Sequence, residues 1–203
     1  MAEAFDLEGF VGADVMALVA LLEDQSLSGA VLSTLERCAR ETDYDSLSGV
    51  PQGRDVPVRS LEAHMFEVAT VALRLADVAI HTWDVEIDTD SLLASALLHD
   101  VDKMLILDGP IGCHPPRFRK GYGPADHGPV GADVCRQSNV PYHICEIVRH
   151  HSPFVGGLPD SLEAALMLQA DLTADYVAAL SVGLEPFYRR VKTVPASGGG
   201  EQT

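Results

Sequence analysis

Apolar residues recur three and four positions apart through 11–22, 31–38, 61–80, 92–107, 130–134, 144–148 and 162–180, the spacing that lines one face of an α-helix. No segment alternates convincingly with the period of two expected of a strand. The chain is therefore predicted to be an all-α bundle. Its punctuation agrees: Asp90 and Ser91 stand where the 92–107 helix would open, Gly109 and Pro110 where it would close, and Pro129 where a first helical turn tolerates proline. Residues 42–57, TDYDSLSGVPQGRDVP, are polar with Gly and Pro, and read as a long connection. This divides the chain into an amino-terminal helical segment with its connection at 1–57, a helical core domain at 58–185, and a tail at 186–203 whose end, PASGGGEQT, reads as disordered.

At 203 residues and 47% hydrophobic content, the chain has enough apolar side chains for one sizeable core. The longest apolar run, 15–22, is far short of the roughly 20 residues that a bilayer span needs. The start, MAEAFDLEGF, is acidic and lacks the basic stretch and apolar centre of a signal peptide. A cytoplasmic protein without a membrane anchor is expected. Four scattered cysteines, Cys38, Cys113, Cys135 and Cys145, suit a compartment where thiols stay reduced. The net charge of −16, from 14 basic and 30 acidic residues, repels polyanions at long range. A general nucleic-acid binder is excluded on that ground and a small substrate is favoured.

Chemistry enters at ALLHDVDK, where His99 and Asp100 stand side by side at the end of an apolar run. His64 precedes this pair, and His127, the doublet His150 and His151, and Asp171 follow it. So many imidazoles with carboxylates share one ready explanation, a metal centre holding one or two divalent ions. The donor set suits Mn, Fe, Co, Ni or Zn better than Mg, which prefers oxygen and water. Adjacent helical residues point about 100° apart, so His99 and Asp100 would straddle an ion near a helix end. His81, His114 and His143 fall outside this pattern and read as surface or capping residues.

Five local motifs, EAHMFEVATVALRLA, ALLHDVDK, DHGPVGADVCRQ, IVRHH and LMLQADLTADY, together resemble the HD-domain superfamily of metal-dependent phosphohydrolases over roughly 58–185. The resemblance implies an HD-like helical bundle with an extra amino-terminal segment. It implies a first ion held by His64, His99, Asp100 and Asp171 and a second held by Asp100, His127, His150 and His151, with Asp100 as the bridge. It also implies that Asp100 and Lys103 take part in catalysis. One departure stands out: Asp102 occupies the place before the lysine where many relatives have glycine, which adds a negative charge near the expected substrate.

Lys103 lies four residues after His99, on the same helical face, where its ammonium would reach a substrate phosphate; the competing reading is an ion pair with Asp102 or Asp108. The segment PPRFRKGYG carries Arg117, Arg119 and Lys120 against the acidic background, and these three are the candidate substrate-binding cations. No nucleophile elbow, reactive-cysteine motif or phosphate-cradling Walker loop is present. The expected activity is hydrolysis of a small phosphate ester, a nucleotide or cyclic nucleotide, by metal-activated water. The alternatives are a di-iron oxygenase of the same superfamily and a non-catalytic HD signalling module.

Overall fold

The helices begin where short polar side chains satisfy the first free backbone amides. In a computed structural model, described over residues 5–52, 59–109, 111, 117–157 and 159–186, Asp24 caps α3 (Gln25–Glu41), Ser60 caps α4 (Leu61–Trp83), Asp88 caps α5 (Thr89–Leu98) and Ser161 caps α9 (Leu162–Ser181). Each accepts from an amide two or three residues on, the usual N-cap bond. Asp90, expected at the helix start, caps instead across space: its carboxylate accepts from Glu23 N and Asp24 N. The short α1 (Leu7–Val11) and α2 (Ala13–Val19) precede α3, and α7 (Pro129–Gln137) and α8 (Tyr142–His150) lie between α5 and α9. Pro129 opens α7 at its first position, as its missing amide hydrogen permits. The fold is all-α, as predicted.

Helix α5 is the centre of the bundle. Residues 91–98 are buried on every side of it, and it packs against α2, α3, α4, α8 and α9, as an all-round apolar helix must. Leu35, Leu47, Leu61, Met65, Leu92, Leu97, Ile144 and Met167 are among the large side chains shut off from water around it. The amino-terminal helices share this core, through Phe10, Val15 and Val31. Among the described residues no helix is long and apolar enough to cross a membrane.

The predicted 92–107 helix is in fact two helices. α5 stops at Leu98, and residues 99–102 form a tighter turn, with Val101 N donating to Leu98 O and Lys103 N to Asp100 O, before α6 (Lys103–Ile106) resumes. Three-residue bonds of this kind rotate successive side chains away from α-helical register. A two-residue strand β1 (Leu107–Asp108) then pairs antiparallel with β2 (Arg117–Phe118), a ribbon too short to show alternation in sequence. The tail from residue 187, residues 53–57 of the connection, Cys113 and His114 lie outside the described residues.

Candidate metal centre

Five elements deliver the site. His64 comes from the second turn of α4, His99 and Asp100 from the turn after α5, His127 from just before α7, His151 from the residue after α8, and Asp171 from the middle of α9. Asp100 divides them. Its Oδ2 lies 3.1 Å from His64 Nε2 and 3.3 Å from His99 Nε2, and its Oδ1 lies 3.2 Å from His127 Nε2 and 3.4 Å from His151 Nε2. Asp171 Oδ1 joins the first half, 3.2 Å from His64 Nε2. Two groups of donors result, His64 with His99 and Asp171, and Asp100 with His127 and His151, each with ligand atoms within 4.8 Å of one another.

The protonation pattern of the rings tests whether a cation fits. His127 Nδ1 donates to the Asp102 carboxylate at 3.1 Å, and His151 Nδ1 donates to Val148 O at 2.7 Å. Their Nε2 atoms are therefore free to present lone pairs in the neutral rings, yet they face each other at 3.2 Å. His99 Nδ1 likewise donates to Ala96 O, and its Nε2 faces His64 Nε2 at 3.2 Å. In the pair of His127 and His151, where both Nε2 atoms are acceptors, such contact beside the Asp100 carboxylate calls for positive charge between them. The electrostatics agree: burial disfavours the charged form of His64, but Asp100 and Asp171 outweigh it and raise its pKa. At His127 burial is likewise outweighed, by Asp102 and Asp100, and the pKa rises to about 9. The residues present thus fit a pair of divalent ions of the imidazole- and carboxylate-loving kind.

Of the seven expected ligands, six converge and His150 does not. Its Nδ1 donates to Gly156 O at 2.6 Å, and its Nε2 stands 3.7 Å from the Glu146 carboxylate. At the end of α8 the two neighbours point different ways, and His151 is the one turned inward. Asp102 stands behind the centre: it is fully buried and accepts from His127 Nδ1 and, at 2.6 Å, from Gly128 N. Gly128 has φ +97°, and a Cβ there would lie 2.5 Å from Arg149 O, so only glycine fits between Asp102 and the end of α8.

Lys103 reaches the centre. Its ammonium bonds Asp100 Oδ2, and not Asp102 or Asp108, the partners of the competing reading. Burial disfavours the ammonium, but Asp100 outweighs it and raises the pKa, so the lysine stays charged. In the basic segment, Arg117 and Lys120 are exposed, whereas Arg119 is tied down: its guanidinium donates to Leu107 O at 2.8 Å and to Asp43 at 2.9 Å, and it lies over the Tyr44 ring. His81 Nδ1 meets Asp77 O, and His143 Nε2 meets Ser91 Oγ. Neither joins the centre.

One neighbouring network was not foreseen. Gln52 donates to Asp175 Oδ1 at 2.9 Å, and buried Arg59 donates to Ala174 O while pairing with Glu67 and, at 3.9 Å, with Asp175. Its one sequence signal was Asp175 standing a helical turn after Asp171. A groove of about 640 Å³ lined by Arg59, Ala63, Glu67, Ala174 and Val177 opens between α4 and α9 beside this network.

Comparison with known proteins gives this geometry a lineage. A dihydroneopterin 2',3'-cyclic phosphate phosphodiesterase of Methanocaldococcus jannaschii is 30% identical over 113 residues, which make up 53% of this chain and 43% of that protein. The chain therefore spans less than half the length of that relative. No solved structure matches it. The HD domain family matches residues 61–175, more than half of the chain and a span that contains all six converging ligands, and the chain belongs to that family.

Proposed function

We propose that the chain is a metal-dependent phosphohydrolase acting in the cytoplasm on a small phosphate ester, of the nucleotide or cyclic nucleotide class. The observation that carries this reading is the divided carboxylate of Asp100, with histidines on both oxygens and the Lys103 ammonium on one. Divalent ions held by the two donor groups would supply Lewis acidity, lowering the pKa of water and neutralising charge on a phosphoryl oxygen. The chain's own residues do the rest. Lys103, kept charged by Asp100, is placed to donate to a phosphoryl or leaving oxygen as negative charge develops there. Water is the incoming nucleophile, because the described cysteines are buried and burial pushes the thiols of Cys38, Cys135 and Cys145 up, away from the thiolate.

The groove between α4 and α9 is the proposed seat for the organic part of the substrate. Ala63 and Ala174, which line it, are respectively the neighbour of His64 and the residue one turn after Asp171. Arg117 and Lys120 are proposed to draw the anion toward an otherwise acidic surface. The cyclic phosphate named for the archaeal relative makes 2',3'-cyclic phosphodiesters the first compounds to try. The deciding experiment is elemental analysis of protein purified without added metal, followed by a panel of phosphomonoesters and cyclic phosphodiesters assayed with and without oxygen. Metal-dependent release of phosphate or ring opening without oxygen is expected. Iron-dependent oxygen uptake with no hydrolysis would replace this reading with the oxygenase, and failure to bind any transition metal would leave a non-catalytic module.

A further inference from the structure

The two halves of the centre are supported differently behind their ligands. In the first half, His99 Nδ1 rests on a neutral carbonyl, Ala96 O, and His64 Nδ1 is buried with no hydrogen-bond partner. In the second half, His127 Nδ1 meets a carboxylate, that of Asp102, at 3.1 and 3.2 Å to its two oxygens. Asp102 is itself held in place: it is fully buried, its Oδ2 accepts from Gly128 N at 2.6 Å, and its Cβ fits against Gly131 of α7, where an added Cβ would come within 3.5 Å of it. A carboxylate buried this completely needs partners on its oxygens, and here both have them.

The backbone does not account for the residue. Asp102 has φ −65° and ψ −21°, an ordinary right-handed conformation in which any residue sits, so neither glycine nor aspartate is needed to make the turn. What the side chain adds is a negative charge and two acceptors directed at one imidazole. Such a carboxylate fixes the donor on Nδ1, leaves Nε2 as the ligand atom, holds the ring plane and makes the ligand more basic.

We infer that Asp102 is a positioning residue for His127, and that it sets the affinity of the Asp100–His127–His151 ion site without contacting the ion or the substrate. This rests on reading the two donor groups as ion sites. Its effect is confined to one half: the ring of His99 lies against that of His151 at 5.2 Å, but no side chain of the first half bonds Asp102 among the described residues.

The test uses full-length protein stripped of metal and titrated with Co(II), whose visible absorption reports imidazole coordination. Asp171→Ala, which weakens the first half, provides the background in which the remaining ion reports on the second. Adding Asp102→Gly to it is expected to weaken that ion by about 10–100-fold, with Asp102→Asn in between, while Asp102→Gly alone leaves the other ion within about twofold. In the wild-type protein without metal, a hydrogen-bonded, slowly exchanging His127 Nδ1–H resonance is expected, and it should be lost in Asp102→Gly. Unchanged Co(II) affinity in the Asp102 variants, or a wild-type protein lacking that resonance, overturns the inference. Failure of the wild type to bind Co(II) at all would instead overturn the metal reading, and the proton resonance would still decide whether Asp102 positions His127.

Discussion

Lys103 places its ammonium on Asp100 Oδ2, the oxygen that also faces His64 and His99, and leaves Oδ1 to His127 and His151. One carboxylate thus joins both donor groups and the cation nearest them. Asp100→Ala is expected to lose bound metal at both sites and all measurable hydrolysis. Lys103→Ala should keep its metal and lose about 10²–10³-fold in kcat, the usual cost of removing a donor to developing negative charge. Metal analysis and steady-state kinetics on the same preparations check both, and a Lys103→Ala protein of normal kcat would remove the lysine from the chemistry.

The partition of ligands predicts a pattern across five alanine variants. His64→Ala and Asp171→Ala should deplete one ion, and His127→Ala and His151→Ala the other. His150→Ala should deplete neither, since its ring is turned to Gly156 O. Metal stoichiometry is the measurement. Loss of an ion from His150→Ala would show that the doublet exchanges roles in the loaded protein.

The basic ribbon separates into two kinds of cation. Arg117→Ala combined with Lys120→Ala should raise KM and flatten its dependence on salt, with metal content and Tm unchanged, because screening acts on exposed charge. Arg119→Ala should instead lower stability by about 1 kcal/mol, through the lost bonds to Leu107 O and Asp43. Kinetics across ionic strength and thermal unfolding distinguish the two outcomes, and a salt-sensitive KM in Arg119→Ala with unaltered Tm would reverse them.

Asp88 gives a pH signature outside the centre. Burial alone would raise its pKa, but its bonds to Ser91 outweigh that and hold it below the usual carboxylate range. A carboxyl with its pKa depressed on folding contributes stability above its unfolded pKa and loses it as pH falls through the folded one. Asp88→Ala should therefore cost about 1 kcal/mol near neutrality, and the difference from wild type should shrink below about pH 4. Denaturant unfolding at both pH values checks the sign; a gap that widens in acid would refute it.

The helices that were legible in sequence are the amphipathic ones that bury one face and leave the other to water, such as α3 and α8. The break after Leu98 was not, because Val101, Met104 and Ile106 remain buried through it and keep the apolar rhythm running. What goes with the break is tertiary, the meeting of His99 and Asp100 in that turn with His64, His127 and His151. The histidine doublet shows the same limit: motif order placed both residues at the centre, but only the path of α8 decides which ring turns in. Arg59, Gln52 and Asp175 come from three separate segments and form no motif. The chemistry of the ligands, by contrast, was written in their types and order, since a buried cation needs those side chains wherever the helices lie.

Gly128 carries a further consequence. With no room for a methyl group against the carbonyls of Val148 and Arg149, the loop bearing His127 presses backbone to backbone on the end of the helix that leads into His151. The backbone positions from which those two imidazoles reach toward each other are thus set by close contact between peptide groups. In that half, the room left for an ion would follow from the path of the chain.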